Sequence, residues 1–221
     1  MEDSKSPSNR RDFLALAATA AAGMGVILPV GTAAAAAGSA PADVTEWLNS
    51  IPGKYRQVTD WPDFNNGMGL IYTSNFLTSG AAGYGVPTSE MGAVLVLRHD
   101  TIPIAFSDSV WAKYKLGAMF KINDPDTNAP AVRNAYYHKP GALPFPEAAL
   151  SKLMERGVKV AACNLALTFW SSVVAQKMGL KHEDVKQEWT DAVYPGIKLL
   201  PSGLFACNAA QSRGCQYLFA G

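Results

Sequence analysis

Seven consecutive apolar residues, Met91-Gly92-Ala93-Val94-Leu95-Val96-Leu97, constrain the fold of this chain most tightly. Side chains of a strand alternate between two faces, so a strand apolar at every position needs cover on both. That is the condition of a central strand in a parallel sheet with helices on each side. The run ends at Arg98-His99-Asp100, which places His99 at the carboxyl end of a strand. A second run, Val158 to Ala162, follows Gly157 and stops at Cys163-Asn164. Leu165 to Met178 then reads as an apolar helix, so Cys163 stands between a strand end and a helix start. In open α/β sheets that is where ligands bind, and the partial positive charge of a helix N-terminus can lower a thiol's pKa.

The remaining segments alternate in the same manner. Pro41 to Ile51 reads as a short amphipathic helix with Asp43 as its N-cap and Trp47 as a packing residue, and Lys54 to Trp61 as a strand. A helix follows from about Gly67 to Gly80, its small residues permitting close packing. Asp108 to Phe120 reads as a helix capped by Asp108, with Gly117 as its weak point. The stretch 121–146 holds five prolines and is a long loop, of the kind that serves as a lid, an oligomer contact or a surface excursion. Pro146 to Arg156 is a helix with proline near its start. Leu165 to Met178, apolar nearly all round, should be buried or lie at a subunit interface. Lys181 to Val193 is amphipathic, with His182 directed to solvent. Ile197 to Leu200 is a short strand ended by Pro201-Ser202-Gly203, Leu204 to Arg213 a helix, and Cys215 to Phe219 a final strand. This order predicts an α/β fold of three layers, a mostly parallel sheet with helices on both faces.

Residues 6–14, Ser-Pro-Ser-Asn-Arg-Arg-Asp-Phe-Leu, resemble a bacterial twin-arginine signal, with Arg10-Arg11 followed by Phe13-Leu14. An uncharged Ala/Gly-rich stretch runs on to Ala37, and small-x-small cleavage sites lie around Ala33–Ala40. The expected organisation is a signal and cleavage region over 1–40 and a single domain over 41–221. It implies export in the folded state by the twin-arginine machinery to the periplasm; an uncleaved membrane anchor is the alternative.

The formal net charge of +1 leaves no electrostatic footprint for nucleic acid. Three cysteines are too few for a disulfide scaffold. Neither Cys-x-x-Cys, nor a His-rich spacing, nor a glycine-rich phosphate loop is present, so the sequence gives no positive sign of a metal site and indicates no cofactor. Ser202 sits in a turn without the nucleophile-elbow pattern. Cys163 reads either as a reactive thiol or as a buried small apolar residue. His99 reads either as a residue held by Asp100 or a carbonyl, or as a group that steadies a thiolate or relays a proton.

The Asn66-Gly67 helix start, the stretch Gly157 to Cys163, Pro195 to Gly203 and the closing Gln211 to Leu218 together resemble the DsrE/DsrF-like family. The resemblance spans most of 53–221 and implies a three-layer α/β fold and a homo-oligomer, a trimer or hexamer. In the sulfur-relay members a cysteine after the third strand carries sulfane sulfur as a persulfide, and Cys163 is the matching position. A sulfur donor or acceptor protein would be the partner. The export signal, the apolar helix after Cys163 and the extended central loop depart from those members. Two readings follow: an exported protein that handles sulfane sulfur or thiols through Cys163, with His99, Asn164 and Ser202 as binding residues, or a non-catalytic small-ligand-binding or assembly module of the cell envelope.

Overall fold

In a computed structural model that describes residues 42–221, five parallel strands form one sheet in the order β4-β3-β2-β1-β5. The strands are β1 (Tyr55–Trp61), β2 (Met91–Leu97), β3 (Lys159–Cys163), β4 (Ile197–Leu200) and β5 (Gln216–Phe219). The helices are α1 (Ala42–Asn49), α2 (Met68–Tyr84), α3 (Asp108–Tyr114), α4 (Leu116–Met119), α5 (Leu150–Glu155), α6 (Asn164–Met178), α7 (His182–Asp191) and α8 (Gly203–Gln211). The twin-arginine-like segment lies outside the described residues. Among the described residues no helix is long and apolar enough to cross a membrane.

All seven residues of β2 are buried, as a continuous apolar run requires. They divide between two cores. Ala93, Leu95 and Leu97 face α2, α3, α5 and α6, together with Val160 and Ala162 of β3. Val94 and Val96 face α1 and α8, together with Val58, Ala161 and Leu200. The chain steps from β1 to β4 in one direction with its helices on the α2 side. It then returns to the far edge through α8 on the opposite side. Right-handed crossovers demand this reversal, because a connection running the other way along the sheet must pass over the other face.

Close approach explains the small residues of α2. A Cβ on Gly69 would stand 2.4 Å from the buried ring of Trp61, so glycine alone lets the helix settle on β1. Thr73 donates to Gly69 O at 2.8 Å and meets Thr59 at 3.1 Å, tying the same helix to the strand.

Four local expectations are corrected. The helix over 108–120 breaks at Lys115, whose φ is +53°, rather than at Gly117. Gly117 lies in α4 against the backbone of Ala131, where a Cβ would come within 2.2 Å of its nitrogen. Asp108 is the first residue of α3 and accepts the Asn134 N–H at 2.7 Å, so it holds the loop as well as standing at the helix start. Pro146–Ala148 form a single tight turn, and α5 begins only at Leu150. His182 is half-buried rather than solvated; its Nε2 lies 3.2 Å from both Ser171 Oγ and Thr168 O of α6.

The 121–146 stretch is neither strand nor helix, yet it is pinned. Arg133 pairs with both oxygens of Asp124 at 2.6 and 3.0 Å. Buried Asn134 donates to the carbonyls of Ile104 and Phe106 at 3.0 and 2.9 Å. Tyr137 stacks on Tyr194 with centroids 3.5 Å apart. These contacts make the loop part of the α2-side core.

Candidate functional site at the carboxyl edge of the sheet

The helix after β3 packs on the α2 side and the helix after β4 on the opposite side. Neighbouring strands whose following helices diverge leave a crevice above their carboxyl ends, the usual ligand position in this architecture. Cys163 and Asn164 stand at the carboxyl end of β3 and Ser202 just beyond that of β4, on either side of that position. Cys163 is the last residue of β3 and opposite Leu200 in the ladder. Its Sγ accepts the Ala166 N–H at 3.3 Å, so the thiol caps α6. Asn164, half-buried, is the first residue of α6. Ser202 caps α8, its Oγ accepting the Phe205 N–H at 3.1 Å. Exposed leucines follow shortly after each cap, Leu165 at 65% and Leu204 at 68%. Cys163 itself is only 5% exposed.

Arg98 follows β2 at the register position beside Cys163, because Leu97 pairs with Ala162. Its guanidinium is committed to Asp60 of β1, with Nε to Oδ1 at 2.6 Å and Nη2 to Oδ2 at 2.9 Å. Tyr217 of β5 donates to the same Asp60 Oδ2 at 2.6 Å. The Asp60 side chain is almost wholly buried, and the pairing satisfies its charge. Beside it, burial first and the Asp60 carboxylate second push the Cys207 thiol up to about 12. Burial raises Cys215 to about 11. All three cysteines are buried and unpaired, so Cys207 and Cys215 form no disulfide. Sequence reasoning missed the Asp60, Arg98 and Tyr217 group; an acid next to Trp61 at the end of the first strand was the signal for it.

His99 takes a left-handed backbone, φ +54°, at the turn after β2. β2 does neighbour β3, so His99 and Cys163 share one edge of the sheet. Its Nδ1 lies 3.2 Å from Asp100 and 3.9 Å from Asp63, and its ring meets Trp170 of α6 edge-on. One nitrogen and two carboxylate oxygens lie within 4.8 Å of one another, a set able to hold a divalent cation that local spacing did not announce. Burial foremost, and the neighbouring Asp63, hold the Asp100 carboxyl above its ordinary range, against the opposing pull of His99.

No family model matches the chain, and no curated protein matches it. Among solved structures, it is similar to a protein of unknown function, MTH1491 from Methanobacterium thermoautotrophicum. The TM-score is 0.39 and the identity 14%, over 75% of this chain and 98% of that one. That likeness is too slight to carry over any property.

Proposed function

We propose that the crevice between β3 and β4 is a thiol site at which Cys163 takes up sulfane sulfur from a small donor. The observation that supports this is the Cys163 Sγ at the start of α6, accepting the Ala166 N–H at 3.3 Å. A thiolate or persulfide there gains the same donor and the partial positive charge of a 15-residue helix. In the step, the Cys163 thiolate attacks the outer sulfur of a donor R–S–SH. The bond from that sulfur to R–S breaks and R–S⁻ leaves, while Cys163 keeps the persulfide; no external oxidant or reductant is consumed. Near-complete burial of the thiol and the exposed Leu165 and Leu204 after the two helix caps favour a low-molecular-weight donor with an apolar body. The DsrE/DsrF-like reading, with its trimer or hexamer, its sulfur donor or acceptor protein and its export through the Arg10-Arg11 signal, belongs to the same proposal.

Intact mass after treatment with an alkyl persulfide tests it. The wild type should gain one sulfur, Cys163→Ser none, and Cys207→Ser should load normally. An unmodified wild type overturns the reading. A second reading, a small-ligand-binding module, is favoured by the burial of Cys163 together with the grouping of Asp63, His99 and Asp100 on the same edge. It expects Cys163→Ser to keep the thermal stabilisation given by a ligand, which grows with ligand concentration as RT ln(1 + [L]/Kd).

A further inference from the structure

We infer that β5 is a self-pairing edge through which two copies of this chain join in an antiparallel, two-fold arrangement centred on Leu218. The backbone sets the geometry. Ala220 N donates to Asp60 O at 2.8 Å, and β5 runs parallel to β1 with Leu218 beside Thr59. In a parallel ladder alternate residues use both their N–H and C=O toward the neighbour. Gln216, Leu218 and Ala220 therefore point to β1, and the N–H and C=O of Tyr217 and Phe219 point outward from the sheet. A two-fold axis at Leu218 sets Tyr217 against Phe219 of the second copy and Phe219 against its Tyr217. Both are hydrogen-bonded pairs, so all four outward donors and acceptors are satisfied.

The side chains fit the same axis. Tyr217 and Phe219 share the α8 face and are 47% and 51% exposed, and the axis makes them cross-strand aromatic pairs. On the other face Leu218 meets its own counterpart. It lies in a groove of about 490 Å³ that Tyr72 and Phe76 of α2 also line.

Charge identifies the occupant as a second copy. A two-fold interface sets each residue near its own symmetry mate, so any charge close to the axis repels itself. In a chain with 17% charged residues, neither β5 nor the lining of that groove carries one. The opposite edge differs: β4 bears Lys198, paired with Asp43 at 2.5 Å, the type of charge that guards an edge strand.

Light scattering on the purified full chain should show an even-numbered assembly. Two substitutions should halve it while keeping the far-ultraviolet circular dichroism: Leu218→Glu, which sets like charges across the axis, and Phe219→Pro, which removes an outward N–H and leaves the bonds to β1 intact. Mixing Leu218→Glu with Leu218→Lys should restore it. Hydrogen exchange on the wild type needs no variant. The Tyr217 and Phe219 amides should be protected, increasingly so at higher protein concentration. A monomeric or trimeric wild type, an assembly that survives both substitutions, or freely exchanging Tyr217 and Phe219 amides overturns the inference.

Discussion

Arg98 sets Nε and Nη2 on the two carboxylate oxygens of Asp60, bridging the carboxyl ends of β2 and β1 with a two-pronged ion pair. The pair is nearly buried, and removing one partner leaves the other charge without compensation. Asp60→Ala should therefore cost about 3 kcal/mol, the low end for a broken buried pair, because Arg98 retains some solvent contact. Denaturant unfolding measures it. Tyr217→Phe, which removes one neutral donor and keeps the ring, should cost about 1 kcal/mol.

Gly203 lets α8 start against the Arg98 side chain. A Cβ there would lie 2.6 Å from Arg98 Cβ and Cδ, and the first of these belongs to a fixed part of the residue. Gly203→Ala should destabilise by about 1–3 kcal/mol, as overpacking does. It should also slow sulfur loading at Cys163 across the crevice. Unfolding midpoints and loading rates report the two effects separately, and unchanged values in both would show that Arg98 simply moves aside.

Cys207 and Cys215 hold their protons to about 12 and 11 in the fold, whereas unfolded thiols titrate near about 8.5. Above that value the unfolded chain releases protons that the folded chain keeps. Stability should then fall as pH rises from about 9 toward 11. Cys207→Ala should make the fall shallower. Melting temperature against pH is the measurement. Near pH 8 a chromogenic disulfide reagent should reach these two thiols only as fast as the protein unfolds.

Asp100 shows the opposite case to a stabilised carboxylate. Its raised pKa means that the ionised form is disfavoured in the fold, so its contribution worsens as pH climbs above the ordinary carboxylate value. Asp100→Asn should raise the melting temperature at pH 7. The gap from wild type should close at pH below about 3.9, where the unfolded side chain is also protonated.

Asn134 anchors the central loop through two donated bonds to buried carbonyls and one accepted from the Tyr136 N–H. Asn134→Ala takes this partner from the Ile104 carbonyl and the Tyr136 N–H, while the Phe106 carbonyl keeps the Trp111 indole N–H at 3.2 Å, and should cost about 2 kcal/mol. Proteolysis should then cut first within 121–146, where the wild type resists.

Strand positions were legible because burial on both faces shows in residue type. Met91 to Leu97 and Ile197 to Leu200 coincide with β2 and β4 to the residue. Cys163 was placed at a strand end by the same logic, since β3 stops where the apolar strand pattern gives way to a helix start. The helix break at Lys115 was hidden, because a left-handed backbone at a lysine leaves no mark in the hydrophobic pattern. His182 was misread for a similar reason: nothing in an amphipathic helix start shows that α7 folds back onto Ser171 and Thr168 of α6.

By itself the sequence determined an α/β sheet with both faces covered, and a thiol at the junction of β3 and α6. Periodicity and local chemistry decide such features within a few residues. Tertiary structure alone decided the strand order, and with it everything built across strands. Asp60 stands 38 residues from Arg98 and 157 from Tyr217. Only the return of the chain over the α8 face brings β5 beside β1. That return puts the helices after β3 and β4 on opposite faces and, among the described residues, leaves Tyr217 and Phe219 on the outermost strand. Contacts between residues so far apart depend on how the elements assemble, and a hydrophobic pattern records only which side of each element is buried.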